Sequence, residues 1–472
     1  MCSRNDQDDG LMEEKPKPLW TEVCQKCSAA KPVIQILQIK HAYCRDCFLA
    51  HVNHKFRSTL GKSKMMRPSD VVMAAFSGSV KSHVLLHLLH AGFSEKSHKR
   101  FLFKTQVLYI DEGAVLGLPL SDRSANLRLV AEMSEQYGFS AYFTSLSCQH
   151  DNQGLVCVPL NKDSALSVNV EFEAELNNLI ANISSLTAKE DMLKQLRQQV
   201  LLRAAKELKC NKIFTAESST DLAIHILTDV SLGRGAQMHH DVSFCDDRDE
   251  EVKILRPLLE LSSKEIAFYS VYFKLSSVFI PSLCSKAQCD SSIHNLSKKF
   301  VMELMENFPS TVSTVFRTGE KLGSSSSTSV RGDQEDVCIL CQVRLVGTAA
   351  PCSSSQATEF SRLISSLGPS GFDNNSLTCL PPTDDTFLGQ SSCCGPSQNS
   401  ETCCVKADVS GKCGSGQDML TLSDVEKLCC YGCRLIVHDV KTVSGLPANI
   451  IETARIRKGL QSMRDSIKDF LL

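Results

Sequence analysis

The sequence predicts an α/β protein, a parallel sheet wrapped by helices and flanked by small four-cysteine modules. Three observations carry that expectation. From Asp70 to about residue 320, short apolar runs alternate with amphipathic segments, the pattern of parallel strands joined by crossover helices. Outside that stretch lie four Cys-x-x-Cys pairs: Cys24/Cys27, Cys44/Cys47, Cys338/Cys341 and Cys430/Cys433. A small-residue turn, Ser77-Gly78-Ser79-Val80-Lys81-Ser82, directly follows the first apolar run, and such a turn before a helix is where α/β folds cradle anions.

Taken in order, residues 1–19 are polar, contain Pro16 and Pro18, and predict no fixed structure. Residues 20–66 hold the first two cysteine pairs and a helix from Asp46 to about Leu60, with Phe48, Leu49, Val52 and Phe56 at helical spacing. The sheet domain spans 67–320. Its expected strands are Val71–Phe76, Gln106–Asp111, Ala141–Leu146 and Lys212–Ala216, and its expected helices His83–His90, Ala125–Tyr137, Gln195–Leu208, Asp221–Leu232 and Ser263–Val271. Residues 321–472 form a C-terminal module. Within it, 342–428 is rich in Ser, Gly, Pro and Thr, too poor in apolar surface to offset the entropy of ordering, and reads as a disordered insertion. A helix from about Pro447 to Leu472 closes the chain.

Composition narrows the function classes. The 472 residues carry a formal charge of −2, so a polyanion would be met by local patches and not by the whole-molecule field. No run is long and apolar enough to span a bilayer, and the first residues, Met1-Cys2-Ser3-Arg4-Asn5-Asp6, are polar. The expectation is a soluble, cytoplasmic protein. Its 23 cysteines are odd in number in a long chain, which favours reduced thiols and metal sites over a disulfide framework.

Two Cys-x-x-Cys turns separated by sixteen residues match a Cys₄ ribbon, each turn offering two thiolates to one ion. Cys24, Cys27, Cys44 and Cys47 are therefore read as ligands of a structural zinc, with a catalytic or redox site as the less favoured reading. His51 and His54 would suit a double site, but no further Cys-x-x-Cys follows nearby. Cys338, Cys341, Cys430 and Cys433 form a second such site if the insertion loops out, because closure entropy grows only with the logarithm of length. The alternative is that Cys429, Cys430 and Cys433 are partly ordinary buried thiols. Cys393/Cys394 and Cys403/Cys404 fall in the low-complexity stretch, and Arg331-Gly332-Asp333 is a chance match to an adhesion tripeptide.

The turn at Ser77, Gly78, Ser79, Lys81 and Ser82 lacks the Gly-Lys-Ser/Thr ending of a Walker A loop. Preceded by the cysteine knuckle, it resembles the ATP-pyrophosphatase (PP-loop) tRNA thiolases, whose loop reads Ser-Gly-Gly-x-Asp-Ser. Further matches are Ile110-Asp111-Glu112-Gly113, Arg197-Gln198-Gln199-Val200-Leu201, Thr215-Ala216-Glu217 ahead of Asp221, Leu255-Arg256-Pro257-Leu258 and Ser263-Lys264-Glu265-Ile266. The resemblance covers roughly residues 20–320 and resumes at the C-terminal cysteines.

This chain departs from an active member of that family at several positions. Ser79 and Lys81 stand where the family has glycine and aspartate. Ser79 adds a side chain where phosphate must come close, and Lys81 cannot do a carboxylate's work of organising a cation. The family's Cys-x-x-Cys ahead of the Arg-rich helix aligns near Glu190 and Leu193, neither a thiol, and nothing else substitutes for a thiolate. Cys210 and Cys284 read as core or surface thiols, and Ser218-Ser219-Thr220-Asp221 replaces an acid-rich motif.

The resemblance thus implies a non-catalytic member that pairs with a catalytic PP-loop subunit and leaves ATP binding in doubt. It implies tRNA as the shared substrate, 2-thiolation of the wobble uridine of Lys, Glu and Gln tRNAs, and sulfur arriving as the thiocarboxylate of a ubiquitin-related modifier. Two alternatives stay open at this point: an adenylating thiolase with an unusual loop, and a zinc-ribbon scaffold that does not act on RNA.

Basic residues cluster without an acid between His51 and Arg67, and again near Lys99. Lys55, Arg57, Lys62, Lys64, Arg67, Lys99 and Arg100 are the candidate RNA contacts, since such clusters neutralise phosphates. Charge alone fits an ordinary solvated helix face nearly as well. The resemblance tips the reading to tRNA.

Overall fold

A computed structural model of the chain describes residues 22–36, 41–94, 100–150, 157–322 except 163, 165, 167, 287, 289 and 290, then 337–345 and 420–468. Lys99, residues 1–19, Arg331-Gly332-Asp333 and most of the expected insertion, with Cys393/Cys394 and Cys403/Cys404, lie outside the described residues.

A hairpin of β1 (Ile34–Ile36) and β2 (His41–Tyr43) precedes helix α1 (Arg45–Ser63). The main sheet comprises β3 (Val71–Ala75), β4 (Lys104–Asp111), β5 (Ser140–Ser145), β6 (Val158–Pro159), β7 (Lys212–Phe214), β8 (Cys245–Asp246) and β9 (Lys253–Leu255). Its order is β6-β5-β4-β3-β7-β9-β8. The five inner strands run parallel, and the short edge strands β6 and β8 are antiparallel. The four expected strands are present to within two residues at each end. β6, β8 and β9 were not expected; each has only two or three residues, too few to show a pattern.

Crossover helices are α2 (Val80–Phe93), α3 (Leu120–Gln136), α4 (Val170–Ala181), α5 (Leu186–Glu207), α6 (Ser219–Ser231), α7 (Gly235–Val242) and α8 (Ser263–Phe273), followed by α9 (Ile293–Asn307) and α10 (Pro309–Leu322). After residue 420 come α11 (Leu422–Lys427), α12 (Tyr431–His438) and α13 (Ala448–Lys468). α11 lies inside the stretch expected to be disordered. Thr421 and Asp424 form a capping box at its start, so local hydrogen bonding outweighs the low-complexity neighbourhood.

Strand β3 sits at the centre with Val72, Met73 and Ala74 buried, and α2 buries Val84, Leu85, Leu86, Leu88 and Leu89 against it. Two capping boxes, Ser218/Asp221 and Ser262/Glu265, start α6 and α8. The chain fills β4 and β5 to one side of β3, then crosses to β7 and β9 on the other. This reversal makes the carboxyl ends of β3 and β7 the switch point, where open α/β sheets form their ligand-binding crevice.

Candidate functional site

The small-residue turn lies in that crevice. Gly78 has φ +73° and its carbonyl accepts from Val278 N at 2.8 Å. A Cβ at Gly78 would stand 3.0 Å from that of Val278, so glycine is required both for the left-handed backbone and for the close approach. The three hydroxyls of the turn satisfy one another: Ser77 Oγ donates to Ser79 Oγ at 2.9 Å, Ser79 and Ser82 hydroxyls are 3.3 Å apart, and Ser79 caps α2 by accepting from Ser82 N.

Lys81 does not face the crevice as a free cation. Its Nζ lies 2.5 Å from Asp221 Oδ1, across the switch point from β3 to β7. The second Asp221 oxygen accepts from Ser218 N and Oγ at 2.9 and 2.7 Å. Burial would raise the Asp221 carboxyl, but the Lys81 ammonium overrides it and holds it below the usual range. The basic residue at the loop and the acid at the start of α6 thus neutralise each other.

Around the mouth, Arg197 pairs with Glu112, its Nη2 at 2.8 Å, and Arg256 Nε pairs with Glu217 at 2.6 Å. Asp111 is buried and spent on Arg123, which also reaches Glu173 at 2.6 Å. Glu190 and Leu193, near which the family's thiols are expected, carry no sulfur. Leu193 is buried in the core, and Glu190 accepts from Cys284 Sγ at 2.7 Å and from Ser292 Oγ. Cys284 is therefore not a solitary thiol, and burial together with Glu190 pushes it up to about 11, leaving it protonated and a poor nucleophile.

Both cysteine sets assemble as the spacing predicts. The sulfurs of Cys24, Cys27, Cys44 and Cys47 lie within 4.8 Å of one another, as do those of Cys338, Cys341, Cys430 and Cys433. The two sites share one construction. In each, the residue after the first pair, Ser28 or Gln342, has φ near +55° (53° and 59°) and donates its N–H to the carbonyl of Cys24 or Cys338. In each, the second pair opens a helix, Cys44 capping α1 and Cys430 capping α12, where the helix dipole favours thiolates.

Zinc–thiolate bonds of about 2.3 Å in a tetrahedron place sulfurs about 3.8 Å apart. Cys27 and Cys44 are 3.8 Å apart and Cys341 and Cys430 are 3.6 Å apart, so both sets fit a metal. Cys429 is also fully buried and is a fifth thiol beside the C-terminal set. That set rests on two buried arginines of the sheet domain. Arg234, bound to Asp191, lies 3.5 Å from the Gly432 carbonyl, and Arg248, bound to Asp241 and Asp246, lies 3.4 Å from that of Cys341. No pattern in the sequence marks these arginines.

Of the basic residues, Lys55 bonds Glu265 Oε1 at 2.9 Å and the Glu260 carbonyl at 3.1 Å. Arg57 lies 5.0 Å above the Phe101 ring. Lys62, Lys64, Arg67 and Arg100 are exposed.

A crevice at the switch point of a parallel sheet, entered by a strand–turn–helix loop and accompanied by four-cysteine modules, defines a protein of the PP-loop thiolase fold. The U34-tRNA thiolase NcsA from Methanococcus maripaludis with its [4Fe-4S] cluster superposes with a TM-score of 0.50 at 16% identity, over 70% of this chain and 97% of that one. The chain belongs to the cytoplasmic tRNA 2-thiolation protein 2 family. The family model of that description matches residues 292–435. Cytoplasmic tRNA 2-thiolation protein 2 of Danio rerio is 31% identical over all of this chain and 99% of its own length. The proteins of Xenopus tropicalis and Homo sapiens are 33% and 30% identical, each over 96% of this chain and 94% of their own. Among the described residues no helix is long and apolar enough to cross a membrane.

Proposed function

We propose that this chain is the non-catalytic subunit of a cytoplasmic tRNA thiolation enzyme. It pairs with a catalytic PP-loop subunit, helps hold tRNA, and supports ATP-dependent 2-thiolation of the wobble uridine in Lys, Glu and Gln tRNAs. Sulfur reaches the partner as the thiocarboxylate of a ubiquitin-related modifier. The observation that carries this reading is the Lys81–Asp221 ion pair, in which the loop's cation and the acid of α6 neutralise each other, leaving no free carboxylate there to organise a nucleotide's cation. Glu190 and Leu193 at the sulfur positions support it, since neither side chain can carry sulfur.

On this reading both four-cysteine sites hold structural zinc, whose closed shell staples the ends of the chain to the sheet. Lys62, Lys64, Arg67 and Arg100, with Lys99 and Arg57, supply phosphate contacts for tRNA. The deciding experiment is reconstituted wobble-uridine 2-thiolation with this chain alone, the catalytic PP-loop subunit alone, and the two mixed. Activity in the mixture only is the expected result. Thiolation by this chain alone would overturn the assignment.

A further inference from the structure

Among the described residues, Phe279 is the most exposed large apolar side chain, at 83%. It is not on a frayed end. The segment leaving α8 is tied down at three successive points: Leu275 N donates to the Ser270 carbonyl at 2.9 Å, the Ser276 carbonyl meets His83 Nδ1 at 2.5 Å, and Val278 N donates to the Gly78 carbonyl at 2.8 Å. Val278 is buried against Gly78, whereas the next side chain, Phe279, stands in solvent. The strap therefore drives Val278 into the crevice loop and holds the Phe279 ring out into water beside it.

We propose that Phe279 is a stacking platform for an unpaired nucleobase of tRNA. This rests on the reading that the chain binds tRNA. An aromatic anchor in a protein–protein interface sits within further apolar area. Along this strap Phe279 is flanked by buried Val278 and half-buried Ile280 and Pro281, Ile280 packing back on the core, and its exposed neighbours are Lys274, Ser276, Ser277 and Ser282, a cation and three hydroxyls. That surround suits a base, which needs one π-face and nearby donors. The strap also lies at the carboxyl end of β3, the ligand-binding end of such a sheet. The backbone beneath the ring is held at Ser276 and Val278, so little main-chain freedom is lost on stacking.

The test uses the full chain and a fluorescently labelled anticodon stem–loop with uridine at the wobble position, titrated at several salt concentrations. Phe279→Ala is expected to weaken binding roughly 5- to 150-fold with the salt slope unchanged, because no phosphate contact is lost. Phe279→Trp is expected to restore it. The side chain packs against nothing in the core, so neither variant should lower the melting temperature. Four results overturn the proposal: Phe279→Ala binding within twofold of wild type, equal weakening on a fully paired RNA duplex, no rescue by tryptophan, or intact RNA binding with lost capture of the PP-loop subunit. Absence of RNA binding by the wild-type chain would sink the underlying tRNA reading as well, and is distinguishable because every variant would then behave alike.

Discussion

Replacing Lys55 by methionine tests how much one buried acid adds to the apolar packing that joins α1 to the sheet domain. Glu265, at the start of α8, is almost fully buried and meets Lys55 Nζ at 2.9 Å and His51 Nε2 at 3.5 Å, both on α1. Burial alone would raise this carboxyl, yet His51, Lys55 and the Ser262 backbone hold it at about 2 against an ordinary 4.5. A displacement of that size corresponds to about 3 kcal/mol at neutral pH. Lys55 shares it with two other groups, so Lys55→Met should cost about 1–2 kcal/mol, in line with a hydrogen bond to a charged group.

The sign of the pH dependence follows from the depressed carboxyl. Its contribution is full above pH about 4.5 and is lost as pH falls toward 2. The difference between wild type and variant in urea unfolding should therefore be constant from neutral pH down to about 4.5 and shrink below it. Any metal that the cysteine sites hold would be lost from both proteins alike and cancel in the difference. The reasoning fails if the variant is within about 0.3 kcal/mol of wild type at pH 7, or if the gap does not narrow in acid. It also fails if the salt slope of tRNA binding falls by about one, since Lys55 would then be a phosphate contact instead of a tie.

Three further outcomes follow from the geometry. Gly78→Ala should destabilise by about 1–3 kcal/mol, because φ +73° and Val278 both oppose a Cβ; a melt matching wild type would show that the strap is not seated as described. Ser79→Ala should cost about 1 kcal/mol as a lost helix cap while leaving thiolation by the reconstituted pair within about twofold of wild type; a drop of about a hundredfold, the scale of losing one transition-state donor, would mean the loop still handles nucleotide. Cys341→Ser combined with Cys429→Ser, which also removes the neighbouring buried thiol, should lower the metal content and speed hydrogen exchange at the backbone amides of Ile339 and Gln342, bonded to the Leu428 and Cys338 carbonyls, checked by elemental analysis and mass spectrometry; unchanged metal content would remove the C-terminal site.

Four of the five inner strands were legible because strands buried on both faces read as apolar runs, as at Val71–Ala75. Lys81 and the missing thiols at Glu190 and Leu193 were legible as wrong residue types at defined positions. Their consequences were not. Lys81 meets Asp221 from 140 residues away and Cys284 meets Glu190 across 94, and a single sequence carries no signal for such pairings. Other misses left local traces: Asn169 caps the unexpected α4 and Ser292 caps α9. Phe279 had no trace, since an apolar residue between apolar neighbours reads as core until the register of the strap is known.

The common construction of the two cysteine sites has a consequence for chain continuity. Sixteen residues separate the halves of the first site and eighty-eight those of the second, yet the longer loop costs only about 1.5 kcal/mol more to close. The halves of the second are also joined without sulfur, through Ile339 N to the Leu428 carbonyl at 3.3 Å and through Arg457 to Val337. With its ends held this way, the intervening stretch is thermodynamically almost free to change length. The same arrangement makes the chain divisible: a protease site introduced between residues 345 and 420 would produce two polypeptides that stay together, a ready-made split protein whose halves are held by the cysteine site and by bonds such as Ser184 N to the Asp439 carbonyl and Lys441 N to that of Asn182.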